Sequence, residues 1–218
     1  PDLVVGADKA GTVTRYMNQG GGSFGSGTPV GSDVNNARDV LVTNVDGQNG
    51  PDIVVAEGDG SVSSDDEISW YENDGDGTFG TRQDVAPSGN NIDDPRSLAA
   101  GDINDDGTVD IVAAGQDGNT VHWYANDGTG GFTHNTLTSN PSGPRDVAVA
   151  DINDDGIPDV AWTDVTDDVV EWASGNGDGT FNSSQSIGGG HTNPVDVELA
   201  DLDGTGVPDA VIAAAGED

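Results

Sequence analysis

The chain has 218 residues, with 40 acidic and six basic side chains, a formal charge of −34, 34 glycines and no cysteine. A surface this acidic repels nucleic acid and anionic membranes, and no run of about 18 apolar residues offers a transmembrane helix. The lack of cysteine excludes a disulfide framework and thiolate sites, and the glycine content with a single Met favours strands and tight turns over helices, so the chain reads as all-β.

In chain order, "PDLVVG" (1–6) reads as a strand that begins mid-repeat, with no basic-then-apolar leader ahead of it. "RYMNQGGGSF" (15–24) follows as a strand and a Gly-rich turn. Next, "ARDVLVTN" (37–44) alternates apolar and polar residues as a half-buried strand does, and runs into "NVDGQNGPD" (44–52) and the apolar "PDIVVA". After an insert around "SVSSDDE" (61–67), "WYENDGDGTF" (70–79) supplies a strand and an Asn-Asp-Gly turn.

The same order returns three times. "PRSLAAGD", "DINDDGTVD" (102–110) and "WYANDGTGGF" (123–132) form one unit, and "PRDVAVAD", "DINDDGIPD" (151–159) and "WASGNGDGTF" (172–181) form the next. "PVDVELAD" and "DLDGTGVPD" (201–209) open another. The last Asp of each acidic loop, with Asp2 as the first of the series, recurs at spacings of 50, 58, 49 and 50, the longer one carrying the insert.

Four short strands per repeat of this length predict a β-propeller of four-stranded antiparallel blades. The blades run at about 37–92, 93–142 and 143–191, flanked by partial ones at about 1–36 and 192–218, so a partial propeller is expected.

Like charges crowded into nine residues cost free energy unless they are solvated or surround a cation. In the loop at 102–110, Asp102, Asn104, Asp106 and Asp110 stand at positions 1, 3, 5 and 9, with Gly107 at position 6 and the Thr108 carbonyl at position 7. Hard oxygen donors at alternate positions around a glycine suit calcium, which takes six to eight oxygens. The next copy offers Asp151, Asn153, Asp155, the Ile157 carbonyl and Asp159. At 201–209 the donors are Asp201, Asp203, Thr205 and Asp209; at 44–52 they are Asn44, Asp46, Gln48 and Asp52, where two carboxylates and Asn49 in place of the glycine predict weak binding. An EF-hand is excluded, because its position-12 Glu is replaced by Ala113 and Trp162. The competing reading is an Asp-rich turn that caps itself and binds nothing.

These loops, each after a "VAVADIN"-like strand, together with "NDGDGTFG" and "GGGSFG", resemble the FG-GAP or VCBS-type repeats of calcium-binding β-propellers such as the integrin α-subunit head. The resemblance covers essentially the whole chain. It implies seven or more blades, calcium loops between the first and second strands of each blade on one rim, and extracellular or cell-surface roles in adhesion, glycan recognition or polysaccharide-active enzymes. Three complete blades are too few for closure, and Phe132 and Phe181 are followed by Thr and Asn, so the Phe-Gly pair is incomplete there.

Trp70, Trp123 and Trp172 share one repeat position, with Arg15 in the first unit, and read as packing between blades or as platforms for sugar rings. Arg38, Arg96 and Arg145 each stand six residues before a loop's first donor, with Val195 in the next unit. They read as partners of nearby Asp, or as a ring of guanidinium groups for an acidic sugar or a partner's carboxylate. His122, His134 and His191 occupy unrelated positions and suggest no metal site, and no catalytic motif is present.

The expectation is a non-enzymatic calcium-binding module with about three to four structural sites, extracellular or at a cell surface, whose rim meets a protein or glycan partner in adhesion or assembly. Such assembly extends to other chains or to blades missing here. The alternatives are a lectin-like propeller and the non-catalytic part of a polysaccharide lyase or hydrolase. The excess of acid beyond the loops is what a halophilic protein would carry.

Overall fold

The computed structural model describes residues 1–7, 11–58, 66–86, 92–138 and 140–216; residues 61–65 of the predicted insert lie outside the described residues. All of its regular structure is β.

The first sheet contains β1 (Leu3–Ala7), β2 (Thr12–Tyr16) and, after the small hairpin of β3 (Asn18–Gly20) and β4 (Ser23–Phe24), β5 (Thr28–Gly31). Three four-stranded antiparallel meanders follow. The first is β6 (Ala37–Thr43), β7 (Asp52–Glu57), β8 (Glu67–Tyr71) and β9 (Gln83–Ala86). The second is β10 (Pro95–Gly101), β11 (Asp110–Gly115), β12 (Thr120–Asn126) and β13 (Phe132–Thr138). The third is β14 (Pro144–Ala150), β15 (Asp159–Asp164), β16 (Val169–Ala173) and β17 (Gln185–Ser186). Then come β18 (Pro194–Ala200) and β19 (Asp209–Ala214), paired with each other.

The second strand of each complete blade, β7, β11 and β15, is buried along its whole length, which explains its continuous apolar sequence. Each such strand is covered on both faces by neighbouring blades, and its side chains alternate between them. Ile53 and Val55 of β7 face the first sheet with Val13 and Tyr71, while Val54 and Ala56 join Ile111, Ala113 and Tyr124 of the next blade. Val112 and Ala114 of β11 point the other way, onto Val160 and Trp162.

The first strands, β6, β10, β14 and β18, lie side by side and wall a channel of about 450 Å³. One bond type recurs between them. Leu98 N donates to Asp39 Oδ2 of the preceding blade at 2.7 Å, Val147 N to Ser97 Oγ at 3.3 Å, and Val197 N to Asp146 Oδ2 at 2.7 Å. The residue after each arginine thus clamps the next blade.

Candidate metal centre

Each acidic loop leaves the end of a first strand and enters the second. Its course is set by two left-handed residues, at positions 4 and 6: Asp105 and Gly107, Asp154 and Gly156, Gly204 and Gly206, Gly47 and Asn49. Asn and Asp tolerate this conformation better than other side chains do. Asn49, with φ 48°, therefore keeps the left-handed position that a glycine takes elsewhere, but the loop at 44–52 departs both in its donors and at position 7, where Gly50 has φ 123° and donates its N–H to Gln48 O.

The position-1 carboxylate organises the turn from within. Asp106 N and Gly107 N donate to the two oxygens of Asp102 at 3.0 and 2.9 Å, and Asp155 N and Gly156 N do the same to Asp151 at 3.0 and 2.7 Å. Thr205 N and Gly206 N repeat the pattern on Asp201 at 3.1 and 2.9 Å. At position 5, the Thr108 hydroxyl and amide hold Asp106 below the usual carboxylate range.

The position-9 acid behaves differently. Asp110 is fully buried; its Oδ2 accepts from Ile103 N at 3.0 Å and its Oδ1 from Asn126 N at 2.8 Å, tying the loop to the end of β12. Asp159 ties Ile152 N and Gly175 N, and Asp52 ties Val45 N and Asn73 N. Burial pushes Asp110 up to about 6, opposed by its two backbone donors. In this structure position 9 is thus a structural tie as well as a predicted donor, a role the spacing alone did not show.

The donor set is all hard oxygen. A carboxylate oxygen that accepts one N–H keeps a second lone pair for a cation. Asp201, Asp203 and Asp209 each bring an oxygen within 4.8 Å of the other two, the one such acidic group among the described residues. In the 44–52 loop, Asn44 Oδ1 is buried without a hydrogen-bond partner among the described residues, an orphan acceptor at position 1. These features fit an oxygen-seeking divalent ion such as calcium. Among the described residues the 201–209 loop alone brings three predicted carboxylates together in this way; in the 102–110 and 151–159 loops the position-9 acid is turned to backbone amides instead. Asn126 Nδ2 links two neighbouring loops by donating to Val45 O at 2.6 Å.

Two of the three repeated tryptophans, Trp70 and Trp123, pack between blades, while Trp172 is partly exposed. Trp70 and Trp123 are 1% and 5% exposed, so neither offers a ring face to a sugar. Trp70 lies under Gly130 and Trp123 under Gly179 of the following blade, where an added Cβ would overlap the indole; both glycines are also left-handed. Arg15 occupies the same place under Gly77, its guanidinium 5.6 Å from the centre of the Phe79 ring. Sequence reading also missed a contact between His134 Nε2 and His122 Nδ1 at 2.9 Å, because pairing of β12 with β13 brings together positions that the repeat does not relate.

A family model described as FG-GAP-like repeat matches residues 44–113, 102–162 and 151–212. No curated protein matches the sequence. Among solved structures, the chain is similar to an Agrocybe aegerita lectin, described as recognising non-reducing terminal N-acetylglucosamine, with 22% identity and a TM-score of 0.64 over 97% of this chain and 60% of that one. It is also similar to the six-bladed β-propeller fucose lectin of Aleuria aurantia, with 15% identity and a TM-score of 0.54 over 96% and 73%. A luciferin-regenerating enzyme is similar too, with 11% identity and a TM-score of 0.55 over 95% and 72%. These likenesses establish the propeller fold, and the chain spans 60% of the length of the first lectin.

Proposed function

The chain belongs to the FG-GAP-like repeat family, and from that premise we propose that it is a calcium-stabilised propeller module, extracellular or at a cell surface, that presents its rim to a macromolecular partner in adhesion or assembly. It is not an enzyme in this reading, and its surface suits high salt.

The observation that carries the proposal is the repeated loop, with one left-handed backbone course and oxygen donors at the same positions. Asp102, Asn104, Asp106, the Thr108 carbonyl and Asp110 would hold one ion, and Asp151, Asn153, Asp155, the Ile157 carbonyl and Asp159 a second. Asp201, Asp203, Thr205 and Asp209 would hold a third, and Asn44, Asp46, Gln48 and Asp52 a weaker fourth. The ion would supply the positive charge that offsets repulsion between neighbouring carboxylates. Affinities in the range of about 10⁻⁴ to 10⁻³ M would fill such sites where calcium is millimolar. At about 100 times the dissociation constant, each filled site adds roughly 2.7 kcal/mol.

Thermal unfolding in about 2 M potassium chloride, from chelator to about 10 mM calcium, tests this. Calcium should raise the wild-type midpoint by several degrees, and Asp106→Ala should lose part of the rise. A midpoint that responds to salt alone would leave the loops as self-capped turns. A lectin is the second reading, favoured by the polar cavity between the first strands described next and compatible with the fold shared with two lectins.

A further inference from the structure

We infer that the mouth of the channel, at the end of the first strands away from the acidic loops, is a binding site for a carboxylate-bearing sugar, held by Arg38, Arg96 and Arg145. These are three of only six basic residues in a chain of charge −34. They line one cavity of about 320 Å³ together with Asp39, Ser97 and Asp146.

Their convergence is built into the backbone. In each first strand the pairing register shifts across the arginine position: between Ala37 and Asp39, Pro95 and Ser97, and Pro144 and Val147. Such bulges re-aim a side chain out of the regular alternation. Two residues earlier stands a left-handed residue in every unit: Asn36, Asp94, Gly143 and Asn193.

That position carries a carboxylate only once. Buried Asp94 takes Arg96 Nε at 2.5 Å and Arg38 Nε at 3.6 Å, so one acid gathers two guanidinium groups. Gly143 and Asn193 offer no charge, and among the described residues exposed Arg145 has no ion-pair partner. The remaining arginines are engaged elsewhere, Arg15 beside Asp2 and Arg82 between Glu57 and Glu67.

The acids of the cavity are committed to the fold. Asp39 accepts from the amides of Leu98 and Val40, and Asp146 from the Val197 amide and the Ser97 hydroxyl. Burial also pushes Asp146 up to about 6. The oxygens of both acids are thus turned to donors of the fold, which leaves the guanidinium groups free to meet a ligand, and a planar fork of N–H donors matches a carboxylate. Among the described residues no aromatic side chain lines the cavity, so its ligand is recognised by charge and hydrogen bonds and not by stacking. A polyhydroxylated acid such as a uronic acid residue of an acidic glycan has that chemistry.

Calorimetric titration with glucuronate, against glucose, N-acetylglucosamine and acetate, tests the assignment in wild type and Arg145→Ala. Arg145 is exposed and unpaired, so its removal should leave the melting temperature unchanged. Saturable binding of glucuronate, absent with glucose and weakened about tenfold or more in Arg145→Ala, is the expected result. Arg145→Lys should recover part of the affinity, since it restores charge without the fork. Absence of saturable glucuronate binding, or equal binding by the variant, would overturn the site; acetate binding as tightly would overturn the sugar. Each titration is run in chelator and in calcium, so that failure of the metal reading shows separately as an unmoved melting temperature.

Discussion

The two ends of the first strands use the same residue for opposite purposes. At the loop end, aspartates are repeated within one blade, most are exposed, and their oxygens take the amides of their own turn, as Asp102 does for Asp106 and Gly107. At the mouth end, aspartates are half-buried and reach into the next blade, as Asp39 does for Leu98 and Asp146 for Val197. The Thr108 hydroxyl lowers Asp106, while burial raises Asp146 to about 6. An acid-rich sequence therefore hides two populations of carboxylate, one available to a cation and one that stitches blades together.

Substitutions should separate these populations, beginning with the largest effect. Asp110→Ala leaves the amides of Ile103 and Asn126 buried without acceptors and should cost about 2–4 kcal/mol in denaturant unfolding. Because the tie is structural, the loss should appear in chelator as well as in calcium; a loss seen only in calcium would make position 9 purely a metal donor. Asp39→Ala should cost less, about 1–3 kcal/mol, and should not change the response to calcium.

Asp146 should give the smallest effect and the one most specific to burial. Its folded pKa lies above its unfolded value, so the native state binds the extra proton between pH 6 and 3.8. Its contribution therefore makes stability rise as pH falls through that window, by on the order of 1–2 kcal/mol. Asp146→Asn should flatten that slope in unfolding measured at several pH values, and an unchanged slope would show that the carboxylate is solvated.

Much of this was legible in the sequence because repetition carries information that single motifs do not. The spacing of Asp2, Asp52, Asp110, Asp159 and Asp209 marks the start of each second strand or, at Asp2, the residue before it. Gly107 and Gly156 mark the left-handed turn. Asn49 showed the limit of reading a residue type, since its backbone keeps a left-handed position that its identity put in doubt. The reading of Trp70 and Trp123 as sugar platforms failed for a tertiary reason: the glycine turn of the next blade closes over each of them.

The sequence by itself determined the repeat, the four-stranded unit, the oxygen-donor loops and the register of the arginines, because these follow from period, turn chemistry and residue type along one stretch of chain. Only the tertiary structure decided that position 9 ties its loop to β12, that the residue after each arginine clamps the next blade, and that one buried Asp94 gathers two guanidinium groups while Arg145 is left without one. The reason is physical: such bonds join residues up to 59 positions apart, and whether a carboxylate is solvated, tied or paired depends on what the neighbouring blade places beside it.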